Sequence, residues 1–155
     1  MFHRIAILIL SLLIASVSFS WELVQEETPV LPLTPVTKTI WKQVVEPRGE
    51  YDVVSINRYR NTEVATIAAV FFLPGENMNG GLTILNERHN LWLYLVNRGI
   101  DIYAMDYRTH YVSHEVKQIE FMKNWSITTF VDDADTLVTQ VRLLNPQQPL
   151  FICGF

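Results

Sequence analysis

PLFICGF, residues Pro149–Phe155, decides how the rest of the chain is read. Leu150 to Cys153 is a short apolar run with the length and composition of a buried strand, and Gly154 follows at once, where a strand can turn sharply. Directly upstream, Asn145-Pro146 stops a helix that begins at about Ser126 or Thr129. Its apolar residues Phe130, Ala134, Leu137, Val141 and Leu144 recur at alternating four- and three-residue spacing and so share one face. Asp132, Asp133 and Asp135 load its first turns, where the helix dipole favours negative charge, and Arg142 lies near its other end.

Further upstream the chain alternates in the same way. IDIYAMD, Ile100–Asp106, reads as a strand entering a sheet, and NERHNLWLYLVNRG before it as a helix stopped by Gly99. PGENMNGG, Pro74–Gly81, is a loop by every local rule, with three glycines, a proline and two asparagines in eight residues. It follows VATIAAVFFL, Val64–Leu73, whose apolar run fits a strand covered on both faces. The strand YDVVSINRY, Tyr51–Tyr59, precedes it across the polar turn Arg60–Glu63, short enough for a hairpin. Residues 21–50, with Pro29, Pro32 and Pro35 among β-branched residues, read as an extended proline-containing leader. The expected fold is therefore α/β: a mostly parallel sheet flanked by helices over residues 51–155.

Composition limits the function. With 49% hydrophobic and 18% charged residues, the 155-residue chain has the make-up of one globular domain. A net charge of −4, from 12 basic and 16 acidic residues, offers no basic field for nucleic acid. A single cysteine, Cys153, rules out an intrachain disulfide and a cysteine-rich zinc site. MFHR followed by the apolar run Ile5–Val17 and the small residues Ser16, Ser18 and Ser20 has the pattern of a signal peptide over residues 1–20, cleaved before Trp21. Export to a periplasm or the medium is expected, with an uncleaved membrane anchor as the alternative.

Residues 51–155 resemble the amino-terminal half of an α/β-hydrolase, in the branch of serine esterases, monoglyceride lipases and lysophospholipases. FFLPG at Phe71–Gly75 is similar to the third strand and oxyanion loop, and RGIDIYAMDYRTH at Arg98–His110 to the fourth strand with its Asp-x-Arg-x-His ending. FVDDADTLV, Phe130–Val138, resembles the helix before the nucleophile strand, and FICGF that strand entering the Gly-x-Ser-x-Gly elbow.

The resemblance implies that Gly154 and Phe155 are the first two elbow positions and that the nucleophilic serine comes next, with the acid and histidine later still. Pro74 and Gly75 would open the oxyanion loop, and the backbone N–H of Glu76, or failing that Asn77, would be its donor. The chain has Pro74-Gly75 where many members have His-Gly, and Thr109-His110-Tyr111 where many have Gly-His-Gly. The implied activity is hydrolysis of a carboxylic or lipid ester through an acyl-enzyme, with no cofactor or metal, an ester substrate as partner, and proximity to a membrane surface compatible with that substrate. These 155 residues would be a truncated, inactive part of such an enzyme. The competing reading is a small non-enzymatic envelope protein that binds a partner through the glycine-rich loop.

Other residues have plainer expectations. Asp106, closing a strand, is expected to satisfy loop amides, and His110 to anchor the following loop by hydrogen bonding. His110 and His114 with Glu115 have metal-ligand spacing only on a helix, which is not expected there. Cys153, inside an apolar strand, is expected to be a buried, inert thiol.

Overall fold

A computed structural model of the chain describes residues 21–29, 35–75, 78–81 and 90–154. In order these form β1 (Glu22–Pro29), β2 (Val36–Val44), β3 (Val53–Asn61), β4 (Ala68–Leu73), α1 (Leu91–Val96), β5 (Ile100–Asp106), α2 (Ile127–Leu144) and β6 (Leu150–Gly154), with short 3₁₀ turns at Arg108–Tyr111 and Glu120–Asn124. The signal-peptide reading of residues 1–20 lies outside the described residues, as do Glu76, Asn77 and Phe155.

The strands join in one sheet in the order β1-β2-β3-β5-β4-β6. β4 runs parallel to both its neighbours, β5 and β6, whereas β1, β2, β3 and β5 pair antiparallel in succession. Hence β2, β4, β5 and β6 point one way and β1 and β3 the other. The parallel strands β4 and β5 need a crossover, and α1 lies within it. Between β5 and β6, the same role falls to α2.

Two layers of core lie on the two faces. On one, α2 sets Leu137 and Val141 against Val54, Ile56, Phe71, Tyr103 and Met105. On the other, Leu93 and Val96 of α1 meet Val36, Tyr59, Phe72, Ile102 and Ala104. Each fully buried Leu or Val here contributes roughly 1.5–3 kcal/mol relative to leaving it exposed. β5 is buried from Asp101 to Asp106, as a central strand covered on both faces should be. The Ser126 hydroxyl accepts from the Thr129 N–H, and the Thr129 hydroxyl accepts from the Ser126 N–H, so the α2 entry closes as a capping box. The Asn90 side chain caps α1 by accepting from the N–H groups of Trp92 and Leu93.

Three expectations change. β3 and β4 do not form a hairpin: β5 inserts between them, antiparallel to β3 and parallel to β4, because the crossover through α1 returns the chain to that gap. Within the segment 21–50, β1 and β2 are strands of the sheet rather than parts of an arm beside the domain. β2 pairs with β3 over nine consecutive positions, from Val36 opposite Asn61 to Val44 opposite Val53. Cys153 is exposed rather than buried, as are Phe151 and Ile152, because among the described residues β6 has β4 beside it on one side and no strand on the other.

That exposure predicts reactivity. In the 155-residue chain a maleimide is expected to modify Cys153 without denaturant. Partial burial raises its thiol pKa, so the reactive thiolate is scarcer than in an ordinary cysteine and the rate keeps rising with pH beyond the usual thiol range. A thiol that labels only after unfolding would contradict the placement of β6.

Candidate active site

The parallel strands end together. Leu73, the last residue of β4, is paired with Gly154, the last of β6, and Phe72 with both Cys153 and Ala104 of β5. In an open α/β sheet this carboxyl edge is where ligands bind. Of the oxyanion-loop and elbow residues that the resemblance implies, Pro74, Gly75 and Gly154 are described, and all three lie at this edge. Pro74 and Gly75 directly continue β4, and the Met78 N–H donates to the Gly75 carbonyl at 3.1 Å.

The far end of the loop is fastened to β5. Asp106 Oδ1 accepts the Gly80 N–H at 2.6 Å, and the Tyr59 hydroxyl donates to the Gly80 carbonyl at 2.9 Å. The second carboxylate oxygen of Asp106 accepts from Ser55 Oγ at 2.5 Å and from Asn57 Nδ2 at 2.7 Å. The expectation that Asp106 satisfies a loop amide is met here. Ser55 and Asn57 were not anticipated as its partners, nor Tyr59 as that of Gly80, although their alternation along one strand already sends them to one face.

This cluster sets its own electrostatics. Burial, reinforced by the charge of Asp106, raises the Tyr59 phenol well above its ordinary value. Tyr111 is pushed up to about 12 by burial, against the pull of its hydrogen bond with Ser55 and with a further push from Asp106. Burial lowers the Lys38 ammonium, and Asp106 partly opposes that. Both phenols stay protonated at neutral pH, so Tyr59 holds the loop by a donated hydrogen bond. His110, by contrast, is exposed and meets Asn79 at 3.5 Å, the outer limit of a hydrogen bond.

On the opposite face Arg108 ties the segment after β5 to α2 and to the β2–β3 turn. Its Nε and Nη2 donate to the two oxygens of Asp133 at 2.6 and 2.7 Å, Nη2 donates to the Glu46 carbonyl at 2.7 Å, and Nη1 donates to Asp52. Trp125 Nε1 also donates to Asp52, at 3.0 Å. Asp133 therefore does more than complement a helix dipole. It is buried and holds the guanidinium in a fork. Burial alone would lower the pKa of Arg108, but hydrogen bonds and charge from Asp133 and Asp52 outweigh it and raise it.

A cavity of about 1150 Å³ opens between the β2–β3 turn and the start of α2, lined by Lys42, Arg48, Tyr51 and Asp132 among others. Among the described residues none of its lining belongs to the loop Pro74–Gly81 or to β6, so it is distinct from the strand ends. Among the described residues no group of three His, Cys, Asp or Glu is arranged to hold a metal ion, and no helix is long and apolar enough to cross a membrane.

No protein-family model matches the sequence, and no curated protein matches it. Solved structures do. A Sulfolobus solfataricus protein provisionally described as a lipase superposes with a TM-score of 0.78 at 29% identity, covering 87% of this chain and 42% of its own. A cold-adapted esterase from an Arctic intertidal metagenomic library, seen in a complex with polyethylene glycol, gives 0.58 at 15% identity over 87% of this chain and 55% of its own. The same description without that ligand gives 0.55 at 15%, over 87% and 52%. The chain thus spans about half the length of these proteins or less, and it has an α/β-hydrolase-like fold.

Proposed function

We propose that the whole protein carrying these residues is a serine ester hydrolase that acts on carboxylic or lipid esters, and that residues 1–155 alone do not turn over substrate. The observation that supports this best is the parallel pairing of β4 with β6, Leu73 opposite Gly154, which brings the loop after one strand and the residue after the other to the same edge. The lipase and esterase likeness of the fold supports it further.

In this reading a serine following Phe155 attacks the acyl carbon while a histidine takes its hydroxyl proton. The backbone N–H of Glu76 or Asn77, with that of the residue after the serine, holds the tetrahedral oxyanion. The bond to the leaving alcohol breaks as the histidine returns the proton to it, and water then repeats the sequence to release the acid. Glu76 serves through its backbone, so replacing His-Gly by Pro74-Gly75 leaves the donor chemistry intact. We also propose export, with cleavage before Trp21. Amino-terminal sequencing of exported protein tests this, and a start at Met1 would favour the uncleaved anchor.

The central test is labelling by a fluorophosphonate together with turnover of a short-chain nitrophenyl ester. The whole protein is expected to react at the serine that follows Phe155, and residues 1–155 not at all. Absence of both labelling and turnover in the whole protein would remove the enzyme reading and leave a binding protein.

A further inference from the structure

Two described points, Leu73 and Gly80, are fixed on either side of the loop that follows β4. Its start is fixed by the sheet, since Leu73 is the last paired residue of β4. Its far end is fixed by Gly80, whose N–H and C=O are both taken by buried side chains, Asp106 and Tyr59. Gly80 itself is pressed onto β5, where a Cβ would collide with the Ala104 carbonyl and with Asn57 Nδ2, so only glycine allows this approach. Asp106 is 4% exposed and is oriented in turn by Ser55 and Asn57. Only six residues, 74–79, separate the two fixed points.

We propose that Asp106 is a positioning residue for the oxyanion loop, setting its backbone donors in place through the Gly80 N–H. The inference rests on the ester-hydrolase reading and deepens it. A carboxylate that only satisfied a buried amide could sit anywhere along the loop. Asp106 instead stands at the last position of β5, the strand beside β4, and so refers the loop to the same sheet edge from which β6 delivers Gly154. A charge-assisted hydrogen bond in a water-poor site is stiff enough to carry that reference. Oxyanion donors contribute to the transition state more than to bound substrate, so displacing them lowers kcat and leaves KM nearly unchanged.

The test compares Asp106→Ala, Asp106→Asn and Gly80→Ala in the whole protein, with Asp101→Asn as control. Asp101 is an equally buried carboxylate at the other end of β5, paired with Arg58 and Thr66, so it matches the loss of a buried charge without touching the loop. Asp106→Ala is expected to lower kcat on a nitrophenyl ester about 100-fold with KM within about twofold of wild type. Asp106→Asn, which keeps an acceptor for the Gly80 N–H, is expected to recover part of that loss. Gly80→Ala should reproduce the kcat defect with Asp106 intact, and Asp101→Asn should lower the melting temperature with kcat unchanged.

Wild-type kcat in folded Asp106→Ala, or a kcat loss equal to that of Asp101→Asn, would overturn the positioning role while leaving the hydrolase reading in place. Should Asp106→Ala fail to fold, Gly80→Ala and Asp106→Asn decide the matter by the same criterion. An unsubstituted whole protein with neither ester turnover nor fluorophosphonate labelling would remove both readings together.

Discussion

Replacing Arg108 with methionine is expected to destabilise the fold by roughly 3–5 kcal/mol, the cost of leaving buried carboxylates without their partner. Arg108 is only 2% exposed, and its guanidinium is shared among Asp133, Asp52 and the Glu46 carbonyl. Methionine fills much of the same volume and donates nothing, so Asp133 loses its fork and Asp52 keeps only neutral donors, Trp125 Nε1 and the Gly49 N–H. Against a typical total of 5–15 kcal/mol, the loss is large enough to unfold a marginal domain. Arg108→Lys keeps the charge but cannot reach both oxygens of Asp133 and the Glu46 carbonyl together, so it is expected to restore less than half. Adding Asp133→Leu and Asp52→Leu to Arg108→Met should recover stability, since a buried ion cluster can often be replaced by apolar residues at little net cost. Urea unfolding of the series measures this. A cost below about 1 kcal/mol for Arg108→Met would place the group in water, as at an ordinary surface salt bridge.

That cluster marks what the sequence made legible. The periodicity of α2 and its stop at Asn145-Pro146 predict a helix that the structure has over Ile127–Leu144, and the apolar runs predict β4, β5 and β6. Local pattern carries these elements because each depends on the residues within it. Pairing depends on distant segments, so the hairpin expected from the short turn Arg60–Glu63 gives way to β5, which brings Ile102 opposite Tyr59. The same reason hid β2. Its lysines, Lys38 and Lys42, interrupt an apolar reading, yet they fit a strand whose stems pack while their ammonium groups lie over Tyr59 and Tyr111.

At the site, the glycine-rich loop and the strand-ending Asp106 were visible as residue types, and so was the motif that contains Arg108. Its partners were not. Asp133 lies 25 residues away and Asp52 lies 56 away, and nothing in one sequence distinguishes a carboxylate that complements a helix dipole from one that grips a buried guanidinium. Cys153 shows the limit from the other side. Apolar neighbours predict a strand, but whether that strand is covered depends on what stands beside it in the sheet.

On the proposed ester-hydrolase function, Gly154→Val is expected to lower kcat/KM of the whole protein about 100-fold with a much smaller change in melting temperature. The backbone of Gly154 does not require glycine, since its φ is not positive. The constraint is contact: a Cβ there would lie 3.1 Å from both the Leu73 Cβ and the Leu73 carbonyl oxygen, tighter than nearly all real side-chain contacts. Alanine forces a shift of a few tenths of an ångström, and the branched valine forces more, against the strand that leads into the loop proposed to carry the oxyanion donors. Pushing the ends of β6 and β4 apart separates the residue that follows one from the donors that follow the other, and a displacement near 1 Å can cost a factor of about 100 in rate. The sheet upstream keeps its pairing from Ala69 with Leu150 to Phe72 with Cys153, so the fold loses little. Steady-state kinetics and thermal melting of the variant measure the two effects separately. Wild-type kinetics in Gly154→Val would mean that the space beside Leu73 is not part of the catalytic geometry, and the assignment of Gly154 to a nucleophile elbow would fall.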